Sequence, residues 1–479
     1  MVAAKEFSAL GLTGLTSDSR KVQPGHLFAA LPGTTTDGAR FMKDAVARGA
    51  RAILGRPQLE PEAKALGVAF IGDDNPRLRL ARMAAAFYGA QPETVAAVTG
   101  TKGKSSVVAF LREIWTHLGQ TAASMGTVGV VGPNAETPLD HTTPDPVEIH
   151  RLLKQLKEAG VDHLAIEASS HGLDQYRLHG IFVRAAAFTN ITRDHMDYHA
   201  TFADYLNAKL RLFGEVVAAG GVAVVNRDAD HWDAFAGLAR TRGLSLLTVG
   251  EKGEAIRLAG RESRGEAQLL TIAHAGKSYQ VLLPLAGAFQ ASNALVAAGL
   301  AIGLGEGPDK VFAALSCLKG APGRMEKVAF SAEGAPIYVD YAHSPDALEK
   351  VLKALRPHTR GRLHLLFGCG GDRDKGKRPL MGQIAAALAD RVIVTDDNPR
   401  REDPARIRQE ILAAAPGAHE IGDRGQAIRA AIAQLKEGDL LVVAGKGHES
   451  GQYVGDRVLP FSDREEAVKA ALASGGRAA

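Results

Sequence analysis

The sequence predicts an α/β protein with more than one domain, and three observations support this prediction. Patterns typical of strands and helices alternate along almost the whole chain, as in parallel sheets covered by helices. At 479 residues the chain is too long for a single hydrophobic core, so two to four domains are expected. Polar clusters follow nearly every predicted strand, at the carboxyl ends where open α/β sheets bind their ligands.

The elements are predicted in three regions separated by two breaks rich in Gly and Pro. The N-terminal region, to about Ala90, has short strands and a helix near Arg77–Tyr88, and Gly89–Thr94 follows as a linker. The second break is Cys317–Arg324, and the tail Ala473–Ala479 is expected to be disordered. The remaining strands are predicted at Val95–Val98, His163–Glu167, Ala185–Thr189, Gly221–Asn226, Ile337–Asp340, Leu363–Phe367, Arg391–Thr395 and Leu440–Ala444.

Composition narrows the class of protein. The net charge is only +4 with no block of Lys or Arg, which favours small anionic ligands slightly and gives no reason to expect nucleic-acid binding. The two cysteines, Cys317 and Cys369, indicate a reducing compartment and argue against a zinc or disulfide framework. No signal-like N-terminus and no apolar run of roughly 20 residues is present, so a cytoplasmic enzyme is expected.

The most informative stretch is Val95–Leu118, which is typical of a strand, a Gly-rich turn and an amphipathic helix. Gly100, Gly103 and Lys104 fall where the strand becomes a helix, and such a turn directs backbone N–H groups and a lysine charge at a phosphate. The hydroxyl of Ser105 would be available to Mg²⁺. The motif GTKGKSS is a shortened form of the P-loop pattern, since Val98 occupies the first glycine position. A tight turn that needs its glycines only for backbone reasons is the alternative.

Two further clusters in the central region suggest a metal site. Glu167 ends the predicted strand HLAIE, where its carboxylate could bind Mg²⁺, although a helix-capping or salt-bridged glutamate is equally compatible. His195, Asp197 and His199 lie close together and could bind a transition metal. No further soft ligand is apparent, so Mg²⁺ is the preferred ion, and His199 could simply be a hydrogen-bonded loop residue.

Lys209 stands among apolar neighbours in the segment NAKLRLF, which suggests that it is partly buried. A buried amine with a lowered pKa can add CO₂ to become a carbamate, and the carbamate oxygens can bind a metal. From composition alone, a lysine whose ammonium reaches the solvent is the simpler interpretation.

The last region combines charges of both signs at predicted strand ends. Arg373 lies in GGDRDKGKRP, Asp397–Arg400 form the motif DNPR, and Glu449 closes GKGHE. Arginine binds carboxylates in a bidentate manner and carboxylates bind ammonium groups, so a zwitterionic amino acid would fit. A solvated surface network is the alternative.

Together these motifs resemble those of the Mur ligase family, from SDSR near the start to GKGHE near the end. GTKGKSS, EASSHGLDQYR, TRDHMDYH, the AK of NAKLRLF, GRME, DYAHSPD and DNPR make a specific set. The resemblance implies three domains: a UDP-substrate domain at 1–89, a central P-loop domain with a mostly parallel sheet at 90–319, and a Rossmann-like domain that binds the amino acid at 320–479.

The resemblance also implies site residues. Lys104, Glu167, His195 and Lys209 would be catalytic, and Mg²⁺ would bind to Ser105, Glu167, His195 and carbamylated Lys209. The residues implied for ATP are Gly100, Thr101, Lys102, Gly103, Lys104, Ser105, Ser106, Asn293, Arg324 and Asp340. Those implied for the UDP-muramoyl-dipeptide are Ser17, Ser19, Thr34, Thr35, Thr36, Thr142, Thr143, Ser169, Gln175 and Arg177. Those implied for the amino acid are Arg373, Asp397, Asn398, Pro399, Arg400, Gly445 and Glu449.

The implied function is ATP-dependent amide ligation in peptidoglycan biosynthesis, and hence a role in cell-wall formation, cell shape and division. A monomer would add meso-2,6-diaminopimelate to UDP-N-acetylmuramoyl-L-alanyl-D-glutamate through an acyl phosphate, with Arg400 reading the extra carboxylate. Lys102 and His141 depart from the family, where Asn is common at both positions. Folylpolyglutamate synthase, a P-loop kinase and an inactive nucleotide-binding scaffold remain alternatives.

Overall fold

The computed structural model describes residue 7 and residues 9–33, 36–133 and 136–479, which form two compact units. The first unit comprises the chain up to Arg257 together with Leu295–Val311, and the second comprises Leu258–Ala294 and Phe312–Ala479. Within the described ranges, no helix is both long and apolar enough to cross a bilayer.

The first unit begins with a small parallel sheet. Its strands β1 (Gly14–Thr16), β2 (His26–Ala29), β3 (Ala52–Gly55) and β4 (Ala69–Gly72) pair in sequence order. The helices of this region are Met42–Ala47, Glu60–Ala65 and Pro76–Tyr88. The last of these confirms the predicted helix: the Asn75 side chain accepts from Leu78 N at 3.1 Å, and Gly89 ends the helix at φ +64°.

A larger sheet in the first unit carries the Gly-rich turn. Its strands are β5 (Thr94–Thr99), β6 (Ala122–Gly126), β7 (Gly129–Val131), β8 (Glu136–Thr137), β9 (His163–Glu167), β10 (Val183–Phe188), β11 (Val217–Asn226) and β12 (Ser245–Gly250). The order is β12-β11-β10-β5-β9-β6-β7-β8, parallel from β12 to β6 and antiparallel beyond. Because β5 lies between β9 and β10, the loops that follow these three strands meet at one edge.

The helices of this region are Lys104–His117, Pro146–Glu158, Ser170–Asp174, Phe202–Arg211 and Trp232–Thr241. The helices Ala288–Gly303 and Pro308–Ala314 and the strand β13 (Ile256–Arg264) each contain a boundary between the units. Strands β14 (Ala267–His274) and β15 (Lys277–Leu283) form an antiparallel hairpin in the second unit. Sequence patterns did not predict the strands β6 to β8 or β12 to β15.

The second unit contains a mainly parallel sheet. Its strands are β16 (Glu326–Phe330), β17 (Pro336–Asp340), β18 (Leu363–Phe367), β19 (Arg391–Val394), β20 (His419–Glu420), β21 (Leu440–Ala444) and β24 (Arg477–Ala478). The order is β20-β19-β18-β21-β17-β16-β24. Neighbouring strands are parallel from β20 to β17, and β16 pairs antiparallel with both β17 and β24. Strands β22 (Gly451–Val454) and β23 (Arg457–Pro460) form a separate hairpin.

Helices cover both faces of this sheet, as in a doubly wound fold. Leu365 and Phe367 of β18 belong to one hydrophobic cluster, and Leu366 between them belongs to another. This alternation follows from the two-residue period of a strand. The helices Pro345–Leu355, Lys377–Leu388 and Pro404–Leu412 supply the first cluster, and Arg424–Ala433 and Asp463–Ala473 supply the second. The α/β prediction is therefore confirmed.

The prediction of a disordered tail is wrong. Arg477 and Ala478 pair with Phe330 and Ala329 as an antiparallel edge strand, and the Arg477 guanidinium lies 3.8 Å from the centre of the Phe330 ring. The segment ASGGRAA contains few apolar residues, but an edge strand needs only backbone partners and one cation–π contact to be held.

Candidate functional site

The turn between β5 and the helix Lys104–His117 has the backbone of a phosphate-binding loop. Gly100 and Gly103 have φ of +150° and +89°, and a side chain at Gly100 would collide with the hydroxyl of Thr189. Lys104 begins the helix, so the first free N–H groups of the helix face this turn. The glycines meet a backbone requirement, and the functional argument therefore depends on the side chains around the turn.

Two lysines converge on this turn. Lys104 Nζ donates to the carbonyl oxygens of Gly100 and Thr101, both at 2.9 Å, and Lys209 Nζ donates to the same Gly100 oxygen at 2.8 Å. Lys209 is 1% exposed, so its ammonium does not reach the solvent. Burial, reinforced by the positive charge of Lys104, lowers the pKa of Lys209 well below its usual value. Asp194 opposes this shift, but among the residues that the structure describes no carboxylate forms an ion pair with Lys209.

The loop after β10 holds the turn in place. Asn190 Oδ1 accepts from Lys102 N at 3.1 Å, and the Lys102 carbonyl accepts from Asn190 Nδ2 at 2.9 Å and from Thr189 Oγ1 at 2.7 Å. The hydroxyls of Thr101 and Tyr205 lie 2.8 Å apart. The backbone of Lys102 is thus fixed by hydrogen bonds that any side chain at this position would allow.

Glu167 is a buried carboxylate at the carboxyl end of β9, beside the turn. It is 1% exposed, and its Oε1 and Oε2 accept from Thr127 N at 2.8 Å and Thr127 Oγ1 at 3.2 Å. A side chain at Gly126 would collide with it. No cation in the described part of the chain pairs with Glu167, and it caps no helix there, so neither sequence-based alternative describes its surroundings.

His195 and His199 lie in the loop that leads to the helix bearing Lys209. Burial, reinforced by the charges of Lys104 and Lys209, lowers the pKa of His195, although Asp194 opposes this. The His195 ring lies 5.0 Å from the His171 ring, centre to centre. His199 is buried, and its Nε2 has no hydrogen-bond partner in the described structure.

The donor set at the turn fits a hard divalent cation once Lys209 is an anion. In the described residues, no group of three or more His, Cys, Asp or Glu side chains is arranged to bind a metal. Ser105, Glu167 and His195 offer a hydroxyl, a carboxylate and an imidazole, and Ser105 is buried in the first helical turn. As an ammonium, Lys209 repels Lys104, and as a carbamate it would attract Lys104 and contribute oxygen ligands.

A second group of predicted residues is linked by hydrogen bonds at the same end of the sheet. Thr143 Oγ1 donates to the Glu167 carbonyl at 2.9 Å and accepts from Ser169 N at 3.1 Å. Arg177 donates to the Thr143 carbonyl at 2.6 Å and to Gln175 Oε1 at 2.9 Å. The structure therefore joins four of the residues expected to bind the dipeptide, and the hydroxyl of the fifth, Thr142, lies 3.0 Å from that of Thr127.

Three of the five residues expected to bind the UDP end of the substrate belong to the described part of the chain. Ser17 and Ser19 are half-buried after β1, and Thr36 is exposed. Thr34 and Thr35 lie outside the described residues. His141, one of the two departures from the family pattern, is exposed.

Ser106 is buried in the helix Lys104–His117, and the other three residues expected to bind ATP lie in the second unit. Asn293 is buried and donates to Gln290 at 3.5 Å. The Arg324 guanidinium lies 4.5 Å from the centre of the Tyr341 ring. Both carboxylate oxygens of Asp340 accept backbone N–H groups at 2.7 Å, so this side chain organises the turn that includes Arg324.

In the second unit, the motifs DNPR and GKGHE form one polar cluster. Lys446 Nζ donates to Asn398 Oδ1 at 2.9 Å, to Glu449 Oε2 at 3.0 Å and to the Gly451 carbonyl at 2.7 Å. Asn398 Nδ2 donates to Glu449 Oε2 at 2.9 Å, and its Oδ1 also accepts from Tyr453 N at 3.1 Å. The Lys446 side chain is fully buried, whereas that of Glu449 is 31% exposed and can contact a ligand.

Asp397, Pro399, Arg400 and Gly445 lie around this cluster. Asp397 and Pro399 are buried, and a side chain at Gly445, whose φ is +114°, would collide with the Asp397 carboxylate. Arg400 has φ +53°, and its guanidinium donates to the Gly371 carbonyl at 2.8 Å. Arg373 is exposed, and the described structure shows no hydrogen bond or ion pair from it to this cluster.

Sequence reasoning missed Lys446, Thr127 and Arg77. Lys446 lies inside the motif GKGHE, but nothing in this motif distinguishes a fully buried lysine from a solvated one. Arg77 Nη1 donates to Gln175 Oε1 at 3.3 Å, a contact across 98 residues that no local pattern signals.

A phosphate-binding turn with two convergent lysines, followed by a doubly wound unit with a polar cluster at its strand ends, defines a nucleotide-dependent ligase of the Mur type. The chain matches the Mur ligase family, catalytic domain, over residues 11–88, the Mur ligase middle domain over 98–301, and the Mur ligase, glutamate ligase domain, over 323–447. It therefore belongs to the Mur ligase family, and the three-domain prediction is confirmed.

Full-length relatives support this assignment. The UDP-N-acetylmuramoyl-L-alanyl-D-glutamate–2,6-diaminopimelate ligase of Bradyrhizobium diazoefficiens is 57% identical over 98% of this chain and 96% of its own length. A solved structure of a ligase with the same name superposes with a TM-score of 0.73 at 35% identity, covering 96% of this chain and 95% of that one. Folylpolyglutamate synthase from Mycobacterium tuberculosis shares the fold at 18% identity and a TM-score of 0.62, but covers only 77% of this chain.

Proposed function

We propose that this chain is an ATP-dependent ligase that adds meso-2,6-diaminopimelate to UDP-N-acetylmuramoyl-L-alanyl-D-glutamate. The observation that carries the proposal is the convergence of Lys104 and the buried Lys209 on the Gly100 carbonyl, beside the buried carboxylate of Glu167. If the glycines served only the backbone conformation of the turn, the turn would not need two ammonium groups, one buried and one half-buried, at the Gly100 carbonyl. The names and full-length similarity of the relatives support the substrate assignment.

The reaction has two steps. An oxygen of the D-glutamyl side-chain carboxylate attacks the γ-phosphorus of ATP, the bond from this phosphorus to the bridging oxygen breaks, and ADP leaves. The amine of diaminopimelate then attacks the acyl carbon, the bond to the phosphate oxygen breaks, and phosphate and a proton are released. The Lys104 ammonium and the N–H groups of the turn bind the phosphates and stabilise the charge that develops on them.

When bound, Mg²⁺ would neutralise phosphate charge as a Lewis acid, held by Ser105, Glu167, His195 and carbamylated Lys209. The carbamate is supported by the burial of Lys209 and by the like charge of Lys104 at the same carbonyl. Lys209, Glu167 and His195 thus position the cation and are not nucleophiles.

The polar cluster of the second unit supports the amino-acid assignment. Glu449 and Asp397 are carboxylates suited to an ammonium group, and Arg400 is a guanidinium suited to the additional carboxylate of diaminopimelate. We place the domain boundaries at 1–89, 90–319 and 320–479. We further propose that the enzyme acts as a monomer in the cytoplasm, in agreement with its two free cysteines.

The test is a stoichiometric assay of the purified protein with ATP, the UDP-muramoyl-dipeptide and meso-diaminopimelate. Equal amounts of tripeptide product, ADP and phosphate are expected. ADP with a stable phosphorylated dipeptide would indicate a kinase, extension of a folate by glutamate would indicate the synthase, and nucleotide binding without turnover would indicate a scaffold.

A further inference from the structure

Arg77 and Arg177 form a pair of guanidinium groups that share one acceptor in the first unit. Arg77 Nη1 and Arg177 Nη2 donate to the same Gln175 Oε1, at 3.3 and 2.9 Å. The remaining contacts of these arginines are to backbone carbonyls: Arg77 to Pro32 at 2.5 Å and Arg177 to Thr143 at 2.6 Å. Neither arginine forms an ion pair with any described residue.

The neighbouring carboxylates are already engaged. Asp174 Oδ2 accepts from the Tyr198 hydroxyl at 2.7 Å, and that hydroxyl accepts from Gln175 Nε2 at 3.0 Å. Asp145 Oδ1 accepts from Val147 N at 2.9 Å and caps the following helix. Burial lowers the pKa of both Arg77 and Arg177, although the charge of Asp174 opposes this for Arg77 and that of Asp145 opposes it for Arg177. Two such charges beside one amide oxygen are stabilised when an anion binds between them.

We propose that Arg77 acts together with Arg177 as a binding residue for the free α-carboxylate of the D-glutamyl residue. This inference rests on the proposed function and adds a residue from the N-terminal region to the dipeptide site. A carboxylate fits because the planar guanidinium fork binds carboxylates through two parallel hydrogen bonds. The position also fits, because Arg177 and its two hydrogen-bond partners, Gln175 and Thr143, are among the residues expected to bind the dipeptide.

Direct binding measurements with two ligands test this assignment. The ligands are UDP-N-acetylmuramoyl-L-alanyl-D-glutamate and UDP-N-acetylmuramoyl-L-alanine, which lacks the D-glutamyl carboxylates and keeps the diphosphate. Arg77→Met is expected to raise the Kd for the dipeptide ligand about 10- to 100-fold, the range for a lost hydrogen-bonded charge pair. The Kd for the shorter ligand is expected to stay unchanged. Arg82→Met, an exposed arginine on the same helix, is the matched control and should alter neither Kd.

Arg77→Lys and Arg77→Gln separate a charge from a structural hydrogen bond and serve if Arg77→Met does not fold. Lysine should restore more affinity for the dipeptide ligand than glutamine does, because only lysine keeps the charge. Equal weakening of both ligands would assign Arg77 to the diphosphate and overturn the proposal, as would no weakening of either. If the wild-type protein does not ligate diaminopimelate, the proposed function is wrong. The role of Arg77 is decided by the two Kd values alone.

Discussion

Replacing Lys446 by methionine should both destabilise the second unit and weaken binding of the amino acid. The ammonium donates three hydrogen bonds of 2.7–3.0 Å from a fully buried side chain. Methionine keeps most of the volume and removes all three donors, so the loss is of polar contacts rather than packing.

The expected loss of stability is smaller than the sum of three separate hydrogen bonds. A hydrogen bond to a charged group contributes about 1.5–3 kcal/mol, but the three bonds share one ammonium whose burial is itself costly, so they do not add. Glu449 is partly exposed and can be rehydrated, and Asn398 Oδ1 keeps its bond from Tyr453 N. We therefore expect the free energy of unfolding to fall by about 2–4 kcal/mol.

The functional readout separates this role from general destabilisation. Without Lys446, Asn398 and Glu449 lose their common partner, so the KM for diaminopimelate should rise about 10- to 100-fold while the KM for ATP stays unchanged. Denaturant unfolding and steady-state ligation are measured on Lys446→Met and on Lys469→Met, an exposed lysine of the same unit. The reasoning would be refuted if Lys446→Met and Lys469→Met had the same unfolding midpoint and the same KM for diaminopimelate. It would also be refuted if Lys446→Met raised the KM for ATP as much as the KM for diaminopimelate.

Three further predictions follow from the site and the core. Lys209→Ala should abolish ligation, with partial recovery in added formate or acetate, and near-normal activity without them would exclude the carbamate. Arg400→Ala should lower the ratio of kcat/KM for diaminopimelate over lysine about 10- to 100-fold, and an unchanged ratio would remove Arg400 as the selector. Burial lowers the pKa of His150 to about 4 from 6.5, so the unfolded state binds more protons between these values and stability falls as the pH drops through this window. The contribution is about 3 kcal/mol, and His150→Gln should remove it from unfolding curves measured between pH 7 and 4.

The fold could be predicted wherever local patterns specify it. The strands β5, β9, β18 and β21 are apolar runs ending in polar loops, and the structure confirms them. The strands from β6 to β8 and the tail strand β24 were missed because each is only two to five residues long, and β8 and β24 are edge strands of their sheets. Edge strands carry little hydrophobic pattern, and long-range backbone pairing leaves no local signal.

The sequence predicts which residue types form the candidate site, but it does not predict which of these residues form hydrogen bonds to one another. Asn398 was expected to bind the amino acid, yet its amide is engaged by Lys446, Glu449 and Tyr453, which makes it a part of the framework as well. Arg77, Lys446 and Thr127 were not predicted, because their roles depend on partners brought together by the fold. The assignments of individual site residues to ligands stay predictions.

The burial of Lys209 follows from the spacing of its neighbours in the sequence, although the composition of the segment does not indicate it. Tyr205, Ala208 and Leu212, together with Lys209, follow the spacing of one buried helical stripe, and all four are buried in the structure. A lysine within such a stripe cannot reach water at the side, as it could from the edge of a helix. Periodicity therefore favours burial over a solvent-reaching ammonium, and burial beside a second lysine is the condition under which conversion of the amine to an anion lowers the electrostatic cost.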